Sequence, residues 1–162
     1  MTGRRAARGM YGPEPDVRFM EMALAQARLA AREDETPVGA VVVKDGVVVG
    51  RGRNQRETRQ DATRHAEMDA IRQASRKLGS WRLDGCDLYV TLEPCPMCAT
   101  AMVHARVARL VFGAWDPRQG AAGSAFDLTH ARALNHSLDA FGGVLAEECG
   151  VQLKAFFARR RE

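Results

Sequence analysis

The chain has 162 residues, of which 46% are hydrophobic and 27% charged. A chain of this length can bury about 70% of its unfolded surface within one domain, and its composition is ordinary for a globular protein. These values exclude a largely disordered chain, a collagen-like repeat and a small disulfide scaffold. No stretch approaches the ~18 consecutive apolar residues of a membrane-spanning helix, so we expect no membrane partner.

The charge balance is basic and dominated by arginine. The formal net charge is +4, from 24 Lys plus Arg against 20 Asp plus Glu, and only Lys44, Lys77 and Lys154 are lysines. Arginine binds phosphate in a bidentate manner and stacks on bases, so the balance fits a nucleic-acid partner. A coding bias toward arginine would produce the same composition.

We expect no export signal at the N-terminus. The arginines near it are not followed by the apolar segment of a secretory signal. We therefore expect a cytoplasmic protein, in which disulfides are rare and cysteines are candidates for metal binding. The four cysteines are Cys86, Cys95, Cys98 and Cys149.

The first segments in chain order are a tail and a helix. Residues 1–14 mix Gly, Pro and Arg and predict a flexible tail, followed by a single domain over residues 15–162. The apolar spacing over residues 16–33 predicts an amphipathic helix, with Asp16 as its N-cap.

The remaining segments alternate between strand and helix patterns. Two valine-rich runs, 37–43 and 47–50, flank Asp45-Gly46 and predict a β-hairpin. The elements predicted after it are a loop over 51–64, a helix over 66–78, a strand over 87–91, a helix over 96–105, a strand over 107–113, a loop over 120–124 and a helix over 144–160. This order predicts an α/β fold: a three-layer α/β/α sandwich around a mixed central sheet of about five strands.

Metal-ligand residue types cluster in two short segments. His65-Ala66-Glu67 is followed downstream by Pro94-Cys95-Pro96-Met97-Cys98. Zinc takes nitrogen and sulfur ligands in a tetrahedron, and two cysteines separated by two residues at a helix start can both point at one ion. Three ligands leave the fourth position open, which is the pattern of a catalytic zinc whose bound water ionises near neutral pH.

Glu67 is the candidate acid–base group. It lies two residues from His65, an offset that does not share a face on a regular helix. Both side chains therefore have to act from an irregular first turn. A carboxylate beside a zinc-bound water can take its proton and return it to a leaving group without being a ligand.

Other interpretations of the cysteines remain open. A lone Cys-x-x-Cys segment is also typical of a thioredoxin-like redox pair. A structural zinc site would need a fourth ligand, for which Cys86 and Cys149 are the remaining thiols. The other histidines are expected to be packing or surface residues: His104, His130 and His136.

The combined motif identifies a family resemblance. His-x-Glu followed by Pro-Cys-x-x-Cys is the signature of zinc nucleobase deaminases. The segments that extend the match are Pro37-Val-Gly-Ala40, Asn54, Phe112-Gly-Ala-Trp-Asp116, Gly120-Ala-Ala-Gly-Ser124, Leu134-Asn-His136, Gly142-Gly-Val-Leu145 and Phe156-Phe157 with the arginines that follow. From about Asp16 to the C-terminus, the sequence resembles the bacterial tRNA-specific adenosine deaminases of the cytidine/deoxycytidylate deaminase-like superfamily. The resemblance implies hydrolytic deamination of the wobble adenosine of a tRNA anticodon to inosine, with release of ammonia.

The resemblance also implies roles for individual residues. It implies one Zn²⁺ per subunit, a proton shuttle at Glu67, and hydrogen bonds to the adenine edge from Asn54 and the Ala66 amide. It implies a ribose contact from Asp116, a homodimer, and a terminal helix that meets the anticodon stem-loop. The implied zinc ligands are His65, Cys95 and Cys98, and the implied contacts on the terminal helix are Phe156, Phe157, Arg159 and Arg160.

Three positions, Ala62, Arg64 and Trp115, depart from the family pattern or vary within it. The sequence reads Asp61-Ala-Thr-Arg64 where the family usually has Asp-Pro-Thr-Ala, so Arg64 could reach phosphate or only solvent. Trp115 could stack on a base or pack in the protein. The arginines that could form a phosphate-binding rim are Arg51, Arg53, Arg56, Arg59, Arg64, Arg159, Arg160 and Arg161.

Two competing functions stay open on the sequence. A free-base guanine or cytosine deaminase shares the zinc chemistry, and only the 120–124 segment and the C-terminal Phe-Phe-x-Arg-Arg run favour RNA over a free base. A catalytically silent RNA-binding protein with a structural zinc is the other candidate. The intact Glu67 and the missing fourth ligand argue against it.

Overall fold

The computed structural model describes residues 14–160 of the chain. The predicted tail lies outside the described residues, apart from Glu14, and Arg161 lies outside them as well. The elements are α1 (Glu14–Arg32), β1 (Gly39–Lys44), β2 (Val47–Arg53), α2 (Arg56–Arg59), α3 (Ala66–Leu78), β3 (Cys86–Leu92), α4 (Pro96–His104), β4 (Arg109–Ala114), β5 (Asp139–Phe141) and α5 (Ala146–Arg160). Among these helices, none is long and apolar enough to cross a membrane.

The strands form one mixed sheet in the order β2-β1-β3-β4-β5. β1 is antiparallel to both β2 and β3, whereas β3, β4 and β5 are parallel to one another. Because β2 and β3 each oppose β1, the strands β2, β3 and β4 run in the same direction and their carboxyl ends meet at one edge. In open α/β sheets that edge is the usual place for a ligand.

Helices cover both faces of the sheet. Alternate strand residues face opposite sides, and each set joins a separate buried cluster. The cluster beneath α1 and α5 includes Met20, Val41, Tyr89, Val111 and Cys149. The cluster beneath α3 and α4 includes Val42, Ala70, Leu88, Met102 and Leu110. The predicted three-layer α/β/α sandwich with a mixed five-stranded sheet is therefore confirmed.

Two glycines let helices lie directly on the hairpin. A Cβ added at Gly39 would lie 2.0 Å from the carbonyl oxygen of Ala23 in α1. A Cβ added at Gly52 would lie 2.0 Å from the carbonyl oxygen of Ala66 in α3. Since Ala66 follows His65 directly, the close contact between β2 and α3 positions the start of α3 and the histidine before it.

The predicted hairpin is confirmed, and the segment after it is more regular than expected. Asp45 and Gly46 both have positive φ, 51° and 77°, as a type I′ turn requires. The predicted loop over 51–64 is partly wrong, because β2 continues to Arg53 and a short helix occupies Arg56–Arg59. Polar arginines at a sheet edge carry little of the alternation that predicts a strand.

Two further expectations need correction. The sequence predicts no strand at Asp139–Phe141, because its three residues are too few to show a period. Asp16 is not an N-cap, since α1 includes Glu14 and Asp16 lies buried within its first turn. The Asp16 carboxylate accepts hydrogen bonds from the Tyr89 hydroxyl at 2.6 Å and from Arg109 Nη1 and Nη2 at 2.8 Å, which joins α1 to β3 and β4.

Candidate metal and catalytic site

A pocket opens at the shared carboxyl edge of β2, β3 and β4. Its cavity volume is about 150 Å³, which suits one small ring rather than the 300–1,000 Å³ site of a drug-sized ligand. Each strand delivers a polar side chain to the lining: Asn54 after β2, Glu93 after β3 and Asp116 after β4. The starts of α3 and α4 complete it with His65, Glu67 and Cys95.

His65, Cys95 and Cys98 converge on a common centre. His65 Nδ1 lies 3.6 Å from Cys95 Sγ and 3.5 Å from Cys98 Sγ, and the three ligand atoms lie within 4.8 Å of one another. Tetrahedral zinc with ordinary Zn–N and Zn–S bond lengths places nitrogen and sulfur ligands about 3.6 Å apart. The donor atoms and their spacing therefore fit zinc.

The helix starts explain why these side chains meet. His65 and Cys95 have extended backbone conformations, with ψ of 155° and 171°, immediately before α3 and α4. The His65 side chain therefore projects from extended backbone just before the helix, whereas Glu67 projects from the first turn of the helix. This is how two residues at a two-residue offset line the same pocket. Cys98 lies in the first turn of α4 and is fully buried.

Burial and mutual hydrogen bonds shift the pKa values of this cluster. Burial raises the pKa of Glu67 to about 7. A hydrogen bond from Cys98 lowers the pKa of Cys95 to about 4, and that bond and burial raise the pKa of Cys98. The hydrogen bond to Cys95 raises the pKa of His65. Strongly shifted groups concentrated in a pocket are typical of functional sites.

The other cysteines and histidines lie elsewhere. Within residues 14–160, the cluster of metal-ligand side chains at this site contains three residues, so no fourth protein ligand joins them. Cys86 is buried at the start of β3, and Cys149 is buried in α5 against Gly113. All four cysteines are free thiols. A three-ligand set with buried Glu67 beside it favours a catalytic metal over a structural one.

The three residues that are expected to contact the base and the ribose line the pocket. The Asn54 side chain is anchored at both ends: its Oδ1 accepts from the Arg56 amide at 3.1 Å, and its Nδ2 donates to the Thr36 carbonyl at 3.5 Å. One N–H and one lone pair of the amide remain available for a ligand. The Ala66 amide belongs to the first turn of α3, where backbone N–H groups lack helical acceptors. Asp116 also lines the pocket, and its Oδ1 accepts from the Arg118 amide.

Glu93 is a pocket residue for which the sequence predicts no role. Its carboxylate is 2% exposed and accepts hydrogen bonds from the amides of Asp116, Ala122 and Ser124 at 3.0–3.1 Å and from the Ser124 hydroxyl. It therefore holds both ends of the segment from Asp116 to Ser124 against β3. The sequence feature that could have pointed to Glu93 is its position between a buried strand and Cys95.

The expected contacts on α5 lie away from the pocket. Phe156 is 3% exposed and packs edge-on against Phe157, which is 44% exposed. Arg160 lies 4.6 Å above the Phe156 ring and donates to the Asp34 carbonyl at 2.6 Å. Asp34 is two residues from Thr36, which lines the pocket, so α5 contacts the rim segment rather than the site itself. Arg159 is exposed.

Arg64 and Trp115 are accounted for by contacts inside the protein. Arg64 Nε donates to Asp69 at 2.8 Å and Arg64 Nη2 to Gln55 at 3.3 Å, so its side chain lies outside the pocket. Trp115 packs edge-on against Phe112, with ring centroids 4.8 Å apart. The Trp115 ring therefore packs in the protein, and stacking on a base stays a prediction.

Comparisons with known proteins define the class. The family model of MafB19-like deaminases matches residues 14–147. The tRNA-specific adenosine deaminase of Bacillus subtilis (strain 168) is 47% identical over 91% of each chain. A structure from work on A-to-I editing by tRNA:A34 deaminases at the wobble position of transfer RNA is 46% identical, with a TM-score of 0.82, and covers 84% of this chain and 99% of that one. The guanine deaminase of Bacillus subtilis is 33% identical with a TM-score of 0.60, over 90% and 93% of the two chains.

The fold and the His/Cys/Cys cluster are those of a deaminase of the cytidine deaminase-like class. Within that class, the chain belongs to the tRNA-specific adenosine deaminase family. The resemblance stated from the motifs is thereby confirmed.

Proposed function

We propose that this protein hydrolytically deaminates adenosine at the wobble position of a tRNA anticodon, giving inosine and ammonia. The observation that carries the proposal is the convergence of His65, Cys95 and Cys98 beside the buried Glu67 in a pocket of about 150 Å³. The identity of 47% with a curated tRNA-specific adenosine deaminase supports the choice of substrate.

His65, Cys95 and Cys98 would hold one Zn²⁺. When bound, zinc supplies a Lewis acid that makes water nucleophilic near neutral pH. Glu67 takes a proton from the attacking water as oxygen adds to C6 of the adenine, and delivers it to N1. It then transfers the second proton of that water to the amino group, which leaves as ammonia while the C6–N bond breaks. Its burial keeps bulk water from competing for these protons.

The pocket lining would recognise the base and its sugar. Asn54 is held rigidly by Thr36 and Arg56, and its remaining N–H and lone pair face a base edge together with the Ala66 amide. Asp116 contacts the ribose. Because the reacting carbon is inaccessible in a stacked base, the nucleotide has to turn into the pocket, at a cost of a few kcal/mol that is smallest in a single-stranded loop.

The end of α5 would contact the anticodon stem-loop. Phe157 and Arg159 offer exposed aromatic and cationic groups, which are the chemistry that binds RNA loops and phosphates. Phe156 is buried, so its part is to support the Phe157 ring and the Arg160 guanidinium. Arg160 is 48% exposed at its side chain and remains within reach of phosphate.

The protein would act as a cytoplasmic homodimer. Met68 and Ile71 on α3 and Met97 on α4 are half-buried apolar side chains that a second copy would cover. Four free thiols fit a reducing compartment. Light scattering coupled to size-exclusion chromatography measures the mass, and a monomer at micromolar concentration contradicts the dimer.

The test offers the purified, zinc-loaded protein three substrates: a tRNA anticodon stem-loop with a wobble adenosine, free guanine and free cytosine. Sequencing or nucleoside analysis measures inosine, and a coupled assay measures ammonia. We expect inosine in the stem-loop and no ammonia from the free bases. Ammonia from guanine without RNA deamination would favour the function of the guanine deaminase relative. RNA binding without any ammonia would favour a catalytically silent protein.

A further inference from the structure

A second surface, distinct from the pocket, carries a concentration of arginines. It is a groove of about 490 Å³ that crosses the edge strand β2 between α1 and α3. We call it the arginine groove. The cationic side chains that line it are Arg51, Arg53, Arg64, Arg72 and Arg76, against one lining carboxylate, Asp69.

The groove keeps its positive charge after internal pairing. Asp69 pairs with both Arg64 and Arg72, at 2.8 and 3.1 Å, so one carboxylate serves two guanidinium groups. Arg53 pairs with Glu33 at 2.7 Å. Within residues 14–160, no carboxylate pairs with Arg51 or Arg76, and both are exposed. Two guanidinium groups thus remain free on the two sides of the groove.

The arginine groove and the pocket share a wall one residue thick. From the last residue of β2 onward, Arg53 and Gln55 line the groove while Asn54 and Arg56 line the pocket. Before α3 the same division separates Arg64, which lines the groove, from the adjacent His65, which lines the pocket. Adjacent residues of the same two segments therefore line the pocket and the groove.

The groove is unsuited to a protein strand or a second copy. The Arg51 amide, which lies on the edge strand, already donates to Gln73 Oε1 at 2.7 Å. A second copy paired through this edge would bring like-charged arginines together, as edge strands that avoid association do. A polyanion meets neither obstacle, since guanidinium groups bind phosphate in a bidentate manner.

We propose that the arginine groove binds the sugar–phosphate backbone of the RNA whose reacting base occupies the pocket, with Arg51 and Arg76 as its free phosphate ligands. The inference rests on the proposed function and deepens it, because it gives the substrate a second contact surface. Binding there is independent of base identity. It adds affinity and salt dependence to the complex and leaves the chemical step unchanged.

The test compares two double variants of equal charge. R51S/R76S removes the two free arginines of the groove. R28S/R82S removes two exposed arginines outside it, of which Arg82 pairs with Asp84 at 3.0 Å, and serves as the control of equal charge. Thermal unfolding establishes that both fold. Fluorescence anisotropy measures the affinity for a wobble-adenosine stem-loop between low and physiological salt, and single-turnover assays at saturating RNA measure inosine formation.

We expect R51S/R76S to weaken binding at low salt at least tenfold. The slope of log Kd against log salt should fall by about 1 to 2, because each lost phosphate contact releases one counterion fewer. R28S/R82S should match the unsubstituted protein, and the saturated rate constant should stay unchanged in both variants. An unchanged salt slope in R51S/R76S overturns the proposal, as does a slower saturated rate with unchanged affinity.

The outcomes separate this inference from the proposed function. If the unsubstituted protein binds the stem-loop without deaminating it, the function fails while the salt slopes still test the groove. If it deaminates the RNA and R51S/R76S binds like the control, the groove proposal fails alone. A change in oligomeric state confined to R51S/R76S would show that the groove binds another copy, which also overturns the proposal.

Discussion

Glu67 and Glu93 are both buried carboxylates of the pocket, but their surroundings differ. Glu93 has four hydrogen-bond donors that hold it in place. Glu67 lies between the helix start and the cysteines, and burial raises its pKa to about 7. A carboxylate that accepts many hydrogen bonds stabilises the segments that donate them, whereas a carboxylate with few partners is available to exchange protons.

Replacing Glu67 should greatly slow turnover while leaving the metal site intact. Glu67→Gln keeps the side-chain volume in a position that is 3% exposed, and removes the group that moves protons. We expect the single-turnover rate of inosine formation to fall by about 10²–10⁴-fold, which is the usual contribution of an acid–base residue. Elemental analysis should find one zinc per chain, as in the unsubstituted protein. Deamination at a normal rate would remove Glu67 from the mechanism.

Replacing Glu93 should loosen the segment that carries Asp116. Glu93→Gln turns one acceptor oxygen into a donor that faces the amides of Ala122 or Asp116. We expect a loss of about 1–3 kcal/mol of unfolding free energy and a larger effect on KM than on kcat. Urea unfolding and steady-state kinetics measure these quantities. The control Glu147→Gln lies exposed on α5 and should change neither; equal behaviour of the two variants would contradict a positioning role.

At the scale of elements, the site depends on how closely α3 lies on β2. Gly50 and Gly52 leave no room for side chains, since a Cβ at either would come within 2.3 Å of an α3 carbonyl oxygen. The same helix begins directly after His65 and carries Glu67. A displacement of α3 would therefore move a metal ligand and the proton shuttle together.

Gly52→Ala should destabilise the protein and disturb the site. Overpacking a closed contact costs about 1–3 kcal/mol, which lowers Tm by about 2–4 °C for each kcal/mol in a chain of this size. Calorimetry measures the shift, and zinc titration should show weaker binding. Gly150→Ala is the matched control, since nothing lies within 4 Å of its added Cβ in α5. It should stabilise the helix by up to about 1 kcal/mol; a Gly52→Ala protein as stable as this control would refute the packing argument.

At the scale of the whole molecule, the layer formed by α1 and α5 buries groups that ionise in alkali. Burial raises the pKa of Cys149 to about 12 and raises that of Tyr89 as well. Both groups are neutral in the folded state when their unfolded counterparts have begun to ionise. Below about pH 8 both groups are protonated in both states and stability is unaffected. Stability is lost as pH rises from the unfolded pKa toward the folded one.

Cys149→Ala should flatten the alkaline decline in stability. With an ordinary thiol pKa of 9.0 and a folded value of about 12, the thiol lowers the unfolding free energy by about 2 kcal/mol between pH 8 and about pH 10.5. The variant loses packing against Gly113 at every pH, so the comparison is between slopes and not absolute stabilities. Urea unfolding across this range measures them. Parallel pH profiles for the two proteins would show that the thiol does not contribute.

Local patterns were sufficient to predict most of the architecture. The turn at Asp45-Gly46, the periodicity of α1 and the apolar runs of β1, β3 and β4 each depend on a few neighbouring residues. The His-x-Glu and Cys-x-x-Cys spacings likewise predicted a three-ligand site, because helix starts place such residues in a fixed way. The sequence did not predict the short strand β5 or the helix α2, because three or four residues are too few to show a period.

Only the tertiary structure decided which side chains contact one another. The roles of Glu93 and Asp16 depend on donors that are 23 or more positions away along the chain, and no local pattern reports them. The direction of Arg64, away from the pocket and into the arginine groove, depends on its contacts with Asp69 and Gln55, which lie 5 and 9 positions away along the chain. Spacing along a chain specifies the conformation of a segment, whereas burial and charge pairing arise only where segments pack, because they depend on distances through space.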